Sequence, residues 1–92
     1  MRLETTVLER STSGETDILD LTGDVQSFLE ATGIEEGWVL IAVPGSTASV
    51  TTIEFETGAV NDLKKAVERL APRNAEYDHN LRWGDGNGYS HV

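Results

Sequence analysis

The sequence predicts an α+β fold, with a mixed or antiparallel sheet and two helices. Three observations point there. Leu3, Thr5, Val7 and Glu9 alternate with Glu4, Thr6, Leu8 and Arg10, a period of two that suits a pleated strand. Trp38 to Val43 is apolar on both faces, as a central strand buried on both sides must be. Two further stretches space their apolar residues at helical intervals. With 92 residues, the chain suffices for a single domain over residues 1–92.

Taken in order, residues 3–10 form the first strand and Ser11-Thr12-Ser13-Gly14 a turn. Ile18-Leu19-Asp20-Leu21 reads as a short return strand. Thr22 is then the expected N-cap of a first helix, with Asp24 in the first turn to complement the helix dipole. Val25, Phe28, Leu29 and Thr32 make one stripe, and Gly33 stops the helix. Phe28 and Leu29 are expected to bury against the Trp38–Val43 strand. Pro44-Gly45-Ser46 breaks that strand, and Val50 to Ile53 begins another that runs into Glu54-Phe55-Glu56. Thr57-Gly58 turns into a second helix marked by Val60, Leu63, Val67 and Leu70 and ended by Pro72. From Arg73 to Val92 periodicity disappears. Three glycines, three aromatics and both histidines fall there, which reads as an ordered functional loop.

Composition excludes several classes. There are 16 acidic against 7 Lys and Arg residues, a formal charge of −9. Such a surface repels phosphate backbones, so nucleic acid is not an expected partner. The absence of cysteine removes disulfides, thiolate nucleophiles and Cys-based zinc sites. The longest apolar run is far below the roughly 20 residues that span a bilayer, and the first residues carry no hydrophobic signal core. A cytoplasmic protein without membrane contact is expected. Abundant acid and scarce lysine resemble proteins of salt-loving organisms, where high salt screens the self-repulsion. An acidic face for a basic partner is the other reading.

Three segments carry candidate chemistry. The first joins Tyr77-Asp78-His79-Asn80 to Gly84-Asp85-Gly86-Asn87-Gly88-Tyr89-Ser90-His91. Imidazoles ligate metals or move protons near neutral pH, and glycines let backbone amides approach a phosphate. An ordered surface loop with hydrogen-bonded histidines accounts for the same residues. An EF-hand fails at Tyr89 and Ser90. The second is the carboxylate set Glu54, Glu56 and Asp62, with Asp62 placed in the first turn of the second helix. Three oxygen donors there suit Mg²⁺; solvated glutamates and a helix-dipole aspartate are the alternative. The third is Pro44-Gly45-Ser46-Thr47-Ala48-Ser49, a small polar turn after the apolar strand and a natural ligand position. It contains no Walker lysine and no Gly-x-Ser-x-Gly elbow.

In this order the segments resemble the YjbQ-like family, whose members are often labelled secondary thiamine-phosphate synthases. The resemblance rests on Gly33-Ile34-Glu35-Glu36-Gly37, Pro44-Gly45-Ser46-Thr47-Ala48, Glu54-Phe55-Glu56, Asp62-Leu63, Tyr77-Asp78-His79-Asn80 and Asn87-Gly88-Tyr89-Ser90-His91. The Pro-Gly-Ser-Thr-Ala variant is similar to archaeal members. Gly45 stands where many relatives have His, and Tyr89 where a His usually precedes the final one. Family members run roughly a third longer, through a Gly-Thr-Trp-Gln stretch and closing strands, so this chain reads as the N-terminal portion.

The resemblance implies an α+β fold assembled as a homotrimer and a transferase reaction. A pyrimidine pyrophosphate is joined to a thiazole phosphate, with pyrophosphate released. A divalent metal, Mg or Zn, is implied, with Glu54, Asp62, His79 and His91 as ligands. His79, His91 and Asn80 are the implied catalytic residues. Ser46, Thr47, Asn87 and Gly88 are the implied contacts to a small phosphorylated molecule. The alternative is a non-catalytic oligomeric module that binds a metal or anion.

Overall fold

The computed structural model describes all residues, Met1 to Val92. Its elements are three helices, α1 (Thr22–Thr32), α2 (Thr57–Leu70) and α3 (Asp78–Trp83), followed by a 3-10 turn, Gly88–His91. There is no β-strand, which corrects the expected α+β sheet. Residues 3–10, 18–21, 38–43 and 50–56 form no ladder. Period-two patterning and β-branching describe how a strand would divide its faces. A ladder needs in addition a neighbour in register whose N–H and C=O groups meet its own. No segment here supplies one. The apolar side chains meant for the sheet stay in solvent, Trp38 at 85% and Leu40 at 75% exposure. Phe28 and Leu29 are accordingly only half-buried.

The chain divides into two compact units, Met1–Leu40 and Ile41–Val92. In the first, the expected turn is held by Asp17, whose carboxylate accepts from the Ser13 N–H (2.9 Å) and hydroxyl (3.2 Å). Helix α1 keeps the predicted extent but not the predicted cap. Leu21 occupies the N-cap and offers no side-chain oxygen. Asp20 acts instead, accepting from the Thr22 N–H at 3.0 Å, and this hydrogen bond holds its carboxyl below the usual range. Arg10 pairs with Asp24 in the first turn. Gly33 ends α1 with φ 69°, a left-handed conformation that costs glycine nothing, and its N–H donates to the Glu30 carbonyl. Thr32, one of the few buried residues, closes the same end. Its hydroxyl donates to the Leu29 carbonyl (2.7 Å) and accepts from the Ile34 N–H (3.1 Å).

In the second unit, Glu56 caps α2. Its carboxylate accepts from the Gly58 N–H (2.6 Å) and the Ala59 N–H (2.9 Å). Asp62 therefore falls in the second turn rather than the first, where no acid stands. The stripe Val60, Leu63, Val67 and Leu70 lies along one face, and the buried Ala71 follows, its N–H on the Val67 carbonyl.

The Gly58 N–H lowers the Glu56 pKa most and the Ala59 N–H next. A lowered folded-state value makes the cap fully effective above the ordinary glutamate pKa of about 4.3. That contribution is lost as pH falls through the lowered value. The Gly58 amide proton is expected to titrate with a midpoint below about 4.3, and Glu56→Gln is expected to abolish the titration. A midpoint at or above the ordinary value would reject the cap.

The stretch Arg73–Val92 is not the structureless loop expected. It contains α3 and the 3-10 turn, and these two pack together. Asp78 opens α3, Arg82 lies in its last turn, and Gly84 ends it at φ 71° with its N–H on the Asn80 carbonyl. Tyr77, at the N-cap, donates its hydroxyl to the Pro72 carbonyl at 2.7 Å. No helix is long and apolar enough to cross a membrane.

Candidate functional site

Helix α3 carries His79 and the 3-10 turn carries His91, twelve residues later. Packing of the turn on α3 stacks the two imidazoles, with centroids 4.2 Å apart and planes at 21°. Ser46, in the bend after the apolar segment, places its hydroxyl 3.3 Å from His91 Nδ1. On the other side, His79 Nδ1 lies 3.4 Å from Asp85 Oδ1. That atom is out of solvent and makes no hydrogen bond, to Asp85 or to any other group. Ser46, His91, His79 and Asp85 thus form a continuous polar row drawn from three segments.

The remaining candidates are placed as follows. Asn80 directs its side-chain oxygen at the Gly88 N–H, 2.8 Å away. That amide is consequently engaged within the protein. Asn87 precedes the 3-10 turn, and its carbonyl accepts from both the Ser90 N–H (2.9 Å) and hydroxyl (2.6 Å). Thr47 is exposed beside Ser46. Glu54 and Asp62 are exposed as well. Glu56 is committed to capping α2.

No three His, Asp or Glu side chains are grouped to hold a metal ion. The stack itself does not fit a shared ion. An imidazole lone pair lies in its ring plane, and planes stacked 4.2 Å apart at 21° send their lone pairs along nearly parallel lines. One ion cannot then sit about 2.0–2.1 Å from a nitrogen of each ring in both planes. The row holds two imidazoles and a hydroxyl, groups that can donate or accept, with one carboxylate at the Asp85 end.

Two features were not singled out from sequence. Asp85 as the partner of His79 is one; an Asp-Gly pair in a glycine-rich stretch looks like turn chemistry alone. The other is α3 itself. Its signals were present, an acid at the start, Arg82 in the last turn and Gly84 as a stop, but six residues are too few for a periodicity.

The chain is a small helical protein that carries a stacked histidine pair. Residues 6–92 match the family described as UPF0047 protein YjbQ-like, and the chain belongs to that family. It is 30% identical over 92 residues to a UPF0047 protein of Methanothermobacter thermautotrophicus, covering 100% of this chain and 63% of that relative. Similarity to the UPF0047 protein YugU of Bacillus subtilis is 34% over 86 residues, 92% of this chain and 63% of the relative. The UPF0047 protein Rv2556c of Mycobacterium tuberculosis is 34% identical over 90 residues, 98% of this chain and 65% of the relative. The chain therefore spans somewhat under two thirds of these relatives' length. No solved structure matches it at a significant level.

Proposed function

We propose that the His79–His91 row binds the phosphate groups of a small molecule, in a transferase of the secondary thiamine-phosphate synthase type. In that reaction a thiazole nitrogen forms a bond to the methylene carbon of a pyrimidine pyrophosphate. The carbon–oxygen bond to pyrophosphate breaks, and its electron pair leaves on the phosphate oxygen. The chain's own contribution is to hold that developing charge through imidazole N–H groups and the Ser46 hydroxyl. The observation carrying this reading is that the only two histidines in the chain are brought ring to ring beside a serine from a distant segment.

Inorganic pyrophosphate, titrated by calorimetry, is the direct test. Binding by the wild-type chain is expected. His79→Ala is expected to weaken it about tenfold, a loss of about 1.4 kcal/mol. Binding unaffected by the substitution would reject the site. Formation of thiamine phosphate from the two phosphorylated precursors then tests turnover. The exposure of His91 and Ser46 favours a second reading, an anion-binding module without catalysis, because transition-state charge is stabilised best where water is excluded. Pyrophosphate binding without product formation would establish it.

For assembly, we propose a homotrimer. The support is the apolar surface left in solvent, with Trp38, Leu40 and Leu70 at 85%, 75% and 83% exposure. Sedimentation equilibrium at micromolar concentration is expected to give three chain masses. A stable monomer would reject it.

A further inference from the structure

His79 and His91 stack with ring centroids 4.2 Å apart. His91 comes three residues after Gly88, which opens the 3-10 turn, and Asn80 directly follows His79 on α3. A side-chain hydrogen bond between α3 and the turn runs between these neighbours, from the Gly88 N–H to Asn80 Oδ1 at 2.8 Å. Gly88 is buried there and approaches α3 so closely that a Cβ would stand 2.7 Å from Tyr77 Cβ and 2.8 Å from Asn80 Oδ1. The hydrogen bond and the close approach act at one point and fix a single register of turn on helix.

We infer that Asn80 is a positioning residue: its carboxamide oxygen, by seating Gly88, sets the register in which His91 stacks on His79. Asn80 then acts on a ligand through the histidines, not by touching it. The stacking role stands by itself; only its consequence for a phosphorylated ligand rests on the function proposed above. An aspartate at position 80 keeps an acceptor at the same reach, whereas alanine removes it and glutamine moves it outward by one methylene. Side-chain length and acceptor chemistry, rather than bulk, are therefore the properties required.

The test is nuclear magnetic resonance on the full chain with labelled histidines. The wild-type protein is expected to show cross-relaxation between the His79 and His91 ring protons, with both rings shifted by mutual ring current. Asn80→Ala and Asn80→Gln are expected to lose the cross-peaks and to bind inorganic pyrophosphate about tenfold more weakly, while Asn80→Asp keeps the cross-peaks. The amide signals of α2 serve as the folding control. Persistence of the cross-peaks in Asn80→Ala or Asn80→Gln overturns the inference. So does their loss in Asn80→Asp with α2 intact, and that arm remains decisive if the alanine variant does not fold. Failure of the wild-type chain to bind pyrophosphate overturns the proposed ligand and leaves the positioning result readable from the cross-peaks.

Discussion

Gly88→Ala is expected to unseat the 3-10 turn from α3. The added methyl would stand 2.7 Å from Tyr77 Cβ and 2.8 Å from Asn80 Oδ1. Tyr77 Cβ is fixed by the backbone at the start of α3 and cannot swing aside. Asn80 Oδ1 can move only by releasing the Gly88 N–H. Overpacking of this kind costs about 1–3 kcal/mol. The loss falls on the only packed pair of elements in the second unit, so it is expected to appear as accelerated amide exchange in α3 and the turn. Exchange in α2 is expected to change little, since its cap and its hydrogen bonds lie elsewhere. Unchanged protection in α3 would show that the turn accommodates a side chain and that the close approach is not a constraint.

The second large effect is expected from Thr32→Val. Valine has the same shape as threonine but can neither donate to the Leu29 carbonyl nor accept from the Ile34 N–H. Thr32 is 8% exposed, so water replaces these bonds poorly. Leaving a partly buried amide and carbonyl without a partner costs about 1–3 kcal/mol. Thr32→Ser, which keeps the hydroxyl, is expected to recover most of that. Equal stability of the valine and wild-type chains, followed at the α1 amides during denaturation, would show that the end of α1 is held by Gly33 alone.

Much of the helical structure was legible in the residues. The stripe Val25, Phe28, Leu29, Thr32 and the stop at Gly33 bounded α1, and Val60 to Leu70 before Pro72 bounded α2. Helices can be read this way because their hydrogen bonds are local and their periodicity is carried by their own side chains. Extended segments are different. Trp38–Val43 and Val50–Ile53 hold every property of strands except a partner, and a partner is a fact about another stretch of chain. The histidine pair was legible as a candidate because its residues are rare in this chain and share one glycine-rich stretch. Asp85 as a partner and Asn80 as the seat of Gly88 were not, since both depend on how a turn folds back onto a six-residue helix. The cap of α1 was misread for a related reason. Threonine ahead of a helix suggests an N-cap, yet Asp20 and Glu56, each two residues from the amide it meets, reach the helix starts better.

The two tryptophans fall one in each unit, Trp38 at 85% exposure and Trp83 at 66%. Indole fluorescence therefore reports on the two halves separately, and replacing either ring with phenylalanine isolates the signal of the other. The chain also supplies a chemical contrast between them. Trp83 lies 5.5 Å from the Arg82 guanidinium, while the chain as a whole carries a charge of −9. Iodide, an anionic quencher, is held away from Trp38 by the overall charge but is drawn toward Trp83 by the adjacent arginine. Acrylamide, being neutral, meets no such bias. The ratio of the two quenching efficiencies thus distinguishes light emitted in the second unit from light emitted in the first, without a label.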